Sequence, residues 1–117
     1  MIENQWYLIC VLAELDNQNP LKKKILNKDL VVFKTNSNKI AVLEDRCCHR
    51  NVQLSLGYVN GENLVCAYHG WQYGSEGKCA CIPSLPIDQP IPKTAKIKVF
   101  GYIWVMKIKW SQLRFRL

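Results

Sequence analysis

The chain has 117 residues, the size of one domain, and 49% of them are apolar, which suffices for a hydrophobic core and excludes a disordered chain. No apolar run approaches the ~18 residues of a membrane span, and the opening MIENQWYLIC lacks the basic start and long apolar stretch of a signal peptide, so a soluble, cytoplasmic protein without membrane contact is expected. The net charge of +7 hints at nucleic acid, but the last eleven residues carry Lys107, Lys109, Arg114, Arg116 and no acid, leaving +3 for the rest, and no nucleic-acid partner is expected.

In chain order the segments read as short strands separated by turns, the pattern of an all-β fold, a small antiparallel sandwich or barrel. WYLICVL, from Trp6, is aromatic and apolar enough for a strand. Asn19-Pro20 marks a turn, and the basic cluster Lys22 to Lys24 beside it reads as a solvated loop, with a docking patch for an acidic redox partner as the sharper alternative. DLVVFKT and KIAVLED form a hairpin across Asn36-Ser37-Asn38. SLGYVNGENLVC forms a second, centred on Asn60-Gly61, a pair suited to a type I′ turn. A turn follows at Gly74-Ser75-Glu76-Gly77. IPSLPIDQPIP holds four of the five prolines and reads as an irregular loop, since proline removes a ladder donor. AKIKVFGYIWVM returns to strand, interrupted at Gly101. No helix of useful length is expected.

The chemistry lies between Glu44 and Gly74, where both histidines each stand near a cysteine. Cys47-x-His49 follows one strand and Cys66-x-x-His69 follows another, so two loop tips each offer one thiolate and one imidazole. Zinc accepts such a set. Zinc fingers tend to group cysteines in one knuckle and histidines in the other, whereas mixed knuckles suit a two-metal centre, one iron on two thiolates and one on two imidazoles. Adjacent Cys47 and Cys48 compete for the ligand role. Neighbouring residues on a turn point apart, and the Cys-x-His spacing favours Cys47.

These runs, DRCCHR, LSLG, VCAYHGWQY, GKC and IPS, with the opening NQWYLIC and the closing IPKTAKIKVFGYIWV, resemble the N-terminal Rieske domain of Rieske non-haem iron oxygenases of the vanillate demethylase and phenylpropionate dioxygenase-like groups. The resemblance spans Asn4 to Met106. It implies a Rieske-type antiparallel β fold with two cluster-binding loops and one [2Fe–2S] cluster per chain. It places Cys47 and Cys66 on the first iron and His49 and His69 on the second. Tyr68, Gly70 and Trp71 shape the second loop, and backbone N–H groups bond the sulfurs. It also implies electron transfer from a reductase or ferredoxin donor to an oxygenase catalytic domain or subunit.

Two features depart from the family pattern. Where the family has Cys-Pro-His, this chain has Cys48 in the middle position, a spare thiol in a less stiff loop. With only two histidines, the chain cannot also supply a mononuclear iron site of two histidines and a carboxylate. The expectation is a Rieske domain over 4–106 and a basic tail over 107–117, with the catalytic domain absent. A stand-alone Rieske ferredoxin and a structural zinc module are the rival readings. Of the other notable residues, Cys10 is expected in the core and Cys79 and Cys81 to pack within a strand. Trp6, Trp71 and Trp104 are expected in the core or shielding the cluster, and Trp110 in an unfolded end. Arg46 and Arg50 flank the first knuckle, either solvated or facing a partner's carboxylates.

Overall fold

The computed structural model describes residues 6–48, 52–86, 88–108 and 112–116. Ten strands run in the order β1 (Trp6–Val11), β2 (Leu21–Ile25), β3 (Lys28–Lys34), β4 (Lys39–Glu44), β5 (Tyr58–Asn60), β6 (Asn63–Val65), β7 (Gln72–Tyr73), β8 (Cys79–Cys81), β9 (Val99–Trp104) and β10 (Gln112–Arg116). The described helices are three single turns of three residues each, so the all-β expectation holds. Among the described residues no helix is long and apolar enough to cross a membrane. The strands form three antiparallel sheets: β2-β3-β4-β9, β5-β6-β7-β8 and the pair β1-β10.

The four-stranded sheet of β2, β3, β4 and β9 is the middle layer. Strands β3 and β4 read as nearly continuous apolar runs because both of their faces are covered. Side chains alternate between faces along a strand. Val31, Phe33, Ala41 and Leu43 therefore join one core with Leu54, Leu64, Cys47, Cys66 and Tyr73. Leu30, Val32, Ile40 and Val42 join the other, with Ile9, Cys10, Leu113 and Phe115. All eight residues of β3 and β4 named here are closed to solvent. The first core sits beneath the two knuckles and the second lies under β1 and β10.

Four local expectations change. The hairpin between β5 and β6 pairs Asn60 with Asn63, so its two-residue loop is Gly61-Glu62, one residue later than expected. Gly61 has φ +65° and Glu62 no positive φ, so the turn is not of type I′, which needs positive φ at both. Lys22 to Lys24 are not a loop but the middle of β2, an edge strand. Lys22 and Lys24 point to solvent and Lys23 pairs with Glu14 at 3.1 Å. Lysines on an edge discourage pairing with another chain. Trp6 and Trp104, expected inside, are 63% and 42% exposed. The stretch expected to be a tail carries β10, which pairs with β1 and buries Leu113 and Phe115. The Phe115 ring lies over Gly101, where an added Cβ would come within 2.7 Å of it, so this glycine, inside β9 beside a shift of register with β4, is the seat of β10. Trp110 lies outside the described residues.

Cys10 packs in the core as expected. Burial, and after it the charge of Glu14, pushes its thiol up to about 11 from an ordinary value of 9.0, with Lys23 acting the other way. A raised thiol pKa stabilises the fold while the thiol is neutral, fully so below the ordinary value, and that contribution is lost as pH rises through the folded value. Urea midpoints should therefore fall as pH is raised from about 9 to about 11, and fall less in Cys10→Ala. An equal fall in the variant would assign the alkaline loss to other groups.

Candidate metal centre

Two loops of the same design carry the candidate ligands. The first leaves β4 at Glu44, and its Cys47 N–H donates to the Val52 carbonyl at 2.7 Å. The second leaves β6 at Val65, and its Cys66 N–H donates to the Trp71 carbonyl, also at 2.7 Å. In each, the cysteine closes a loop onto the residue five positions later. Asp45, buried just before the first loop, anchors it by accepting bonds from the Ser55 N–H and hydroxyl, each at 2.7 Å.

Cys47 and Cys66 come together from the two loops. Both are closed to solvent at 0% and 1% exposure, and they lie in one core, near enough for Cys47 to act on the Cys66 thiol. Burial pushes the Cys66 thiol up to about 11. The Tyr68 N–H, 3.4 Å from its sulfur, pulls the other way, and Cys47 adds to the rise. The Cys66 thiol is thus neutral and dry until a metal replaces its proton, so loading the site releases that proton.

His69 stands on the second loop but at its outer edge, exposed, with the Tyr68 ring packed edge-on at 4.1 Å between centroids. His69 and Gly70 both have left-handed backbone, φ +68° and +70°. That conformation costs an ordinary side chain ~1–2 kcal/mol, and a histidine held there points to a functional constraint. Behind the turn, Gly70 faces Pro83 of the proline-rich loop, which has no strand among its described residues. Trp71 packs half-buried on the core that contains both cysteines, as expected of a shielding residue. His49 and Arg50 lie outside the described residues, while Arg46 forms an ion pair with Glu44 at 3.0 Å. Among the described residues no three Cys, His, Asp or Glu side chains converge on one metal-ion position.

The residue that sequence reasoning passed over is Tyr73. It closes HGWQY, and its place on β7 turns it inward, fully buried beneath the first loop. Its hydroxyl lies 3.1 Å from Cys47 Sγ and 3.1 Å from Cys48 Sγ, and accepts the Cys48 N–H at 3.0 Å. Burial first, then the two cysteines, raises its pKa, so it remains a phenol. Only the alternation of β7 could have indicated it, and that indicates burial, not the sulfur partner. Cys79 and Cys81 pack within β8 as expected. Cys79 is buried, with its thiol pushed up by burial, and donates to the Cys81 carbonyl at 3.5 Å.

The donor set grades from two buried thiols to an exposed imidazole. That gradient fits a two-metal cluster with a deep iron on sulfur and an outer iron on nitrogen. A sequence profile described as the Rieske [2Fe-2S] domain matches residues 5–100. The chain is 41% identical over 111 residues to methylxanthine N1-demethylase NdmA of Pseudomonas putida, covering 86% of this chain and 31% of that protein. It is 38% identical to the chloroplastic protein TIC 55 of Pisum sativum, over 86% of this chain and 19% of that one. It is 35% identical to the vanillate O-demethylase oxygenase subunit of a Pseudomonas strain, over 88% of this chain and 29% of that protein. The solved structure of Pseudomonas putida CBB5 NdmA with caffeine superposes with a TM-score of 0.83 at 38% identity, over 96% of this chain and 32% of that one. Dicamba monooxygenase superposes with a TM-score of 0.87 at 25% identity, over 99% of this chain and 35% of that one. The chain thus spans about a third or less of the length of these relatives.

Proposed function

The chain belongs to the Rieske [2Fe–2S] domain family, and on that footing we propose that Cys47 and Cys66 hold the inner iron and His49 and His69 the outer one. The cluster, when bound, supplies one-electron transfer at a potential above that of all-cysteine clusters. The observation that carries the assignment is the pairing of Cys47 with Cys66, two buried thiols from separate loops held side by side. They bind as thiolates and keep water away. The Tyr73 hydroxyl, 3.1 Å from Cys47 Sγ, donates to that sulfur once its proton has gone, which disperses ligand charge and favours the reduced state. His69, exposed at the loop edge, is the side from which an electron enters and leaves.

The electron donor we propose is a reductase or ferredoxin, and the acceptor the catalytic domain or subunit of an oxygenase. An oxidative demethylase is the favoured parent activity, because relatives named as N- and O-demethylases match along most of this chain. The mononuclear iron site would lie outside residues 1–117, which hold only two histidines. The folded unit of the proposal runs past Met106 to include β10. Cytoplasm is the compartment proposed, in keeping with six cysteines of which none is in a disulfide.

The test is an EPR spectrum of anaerobically purified, dithionite-reduced protein, with iron and sulfide assayed on the same sample. A Rieske-type rhombic signal with equal iron and sulfide is expected, whereas zinc without sulfide would replace this reading with a structural zinc module. Cys47→Ser should abolish the signal and Cys48→Ser should keep it. The reverse would exchange the ligand assignment.

A further inference from the structure

A phenol hydroxyl has one proton to donate and two lone pairs to accept with. Around Tyr73 three groups of the first loop compete for these. The Cys48 N–H donates to the hydroxyl oxygen at 3.0 Å. The hydroxyl has two sulfurs in reach, each at 3.1 Å: toward Cys48 Sγ it is the donor, and toward Cys47 Sγ either group can donate while Cys47 keeps its proton. Tyr73 is closed to solvent, so bulk water does not compete for these bonds. A proline at position 48 would have no N–H to give and no sulfur to receive. Both contacts therefore follow from the residue this chain carries there.

We propose that residue 48 sets how much of the Tyr73 hydroxyl proton reaches the sulfur of Cys47, so that Cys48 tunes the cluster while binding no iron. Two opposing contributions follow from the geometry. The Cys48 sulfur draws the proton away from Cys47 and weakens the bond to the ligand. The Cys48 N–H polarises the hydroxyl and makes it a stronger donor, since hydrogen bonds in a chain reinforce one another. Cys48 is a positioning residue, acting through Tyr73. The proposal rests on the assignment of Cys47 as a cluster ligand.

The experiment is a reduction-potential titration of the cluster-loaded full chain, followed by EPR, for the native protein, Cys48→Ala and Cys48→Pro, each with Tyr73 and with Tyr73→Phe. With Tyr73 present, Cys48→Ala frees the proton for Cys47 and raises the potential by about threefold in the one-electron equilibrium, about 28 mV at 59 mV per tenfold. Cys48→Pro falls below Cys48→Ala, because the N–H is lost as well. With Tyr73→Phe, all three residues at position 48 give the same potential. Potentials indifferent to residue 48, or differences that survive in Tyr73→Phe, overturn the proposal while an intact Rieske signal leaves the ligand assignment standing. A signal that survives Cys47→Ser overturns the assignment and the proposal with it.

Discussion

Replacing His69 with cysteine is expected to lower the reduction potential by on the order of 100 mV or more. A neutral imidazole gives way to a thiolate, and the added negative charge disfavours the incoming electron. All-cysteine clusters of plant type lie near about −400 mV and Rieske centres between about −150 and +300 mV, so one ligand exchanged should move the centre partway down that scale. His69 is suited to the exchange because its loop closes through backbone bonds, Cys66 N–H to the Trp71 carbonyl, that do not involve its side chain. A second signature follows. A ligating imidazole can lose a proton on oxidation, which makes the potential depend on pH, and the variant should lose part of that dependence. Potential measured against pH for both proteins checks both effects. An unchanged or higher potential in the variant would remove His69 from the ligand set.

Gly57→Ala should cost about 3 kcal/mol of stability and reduce cluster loading. Gly57 ends the short turn that follows the first loop, and it faces the backbone that leads into the second. A Cβ there would overlap the Val65 carbonyl oxygen and sit 3.0 Å from its carbon and 3.2 Å from the Ala67 nitrogen. These atoms flank Cys66 and belong to the main chain, so no side chain can swing aside to make room. The close approach holds the two loops in register, and forcing it apart moves one buried sulfur away from the other. Gly61→Ala is the control. It meets nothing within 4 Å and carries only the strain of its positive φ, about 1 kcal/mol, with no reason to disturb the cluster. Urea unfolding and iron content of the two variants provide the comparison. Equal losses in both would mean that backbone conformation, and not the contact between loops, governs the effect.

The ligand pattern was legible because it is local. Cys47, His49, Cys66 and His69 stand out as proposed ligands by residue type and spacing alone, and the hairpin of β3 and β4 by apolar runs around a turn of asparagine and serine. The edge strand β2 escaped because three consecutive lysines obscure its alternation, and only its pairing with β3, Lys23 opposite Leu30, makes it a strand. Trp6 and Trp104 were misplaced because an aromatic on a strand says nothing about which face a neighbouring layer will cover.

What the sequence by itself determined was the all-β class, the two cysteine–histidine knuckles and their place at strand ends. Each of these rests on contacts within a few residues. Only the tertiary structure decided that β10 returns to β1, Trp6 opposite Arg116, that β3 and β4 are covered on both faces, and that the Tyr73 hydroxyl stands between Cys47 and Cys48. Strand pairing across a hundred residues and a hydrogen bond between distant side chains depend on where whole layers dock, and docking leaves no periodic mark on the segments it joins.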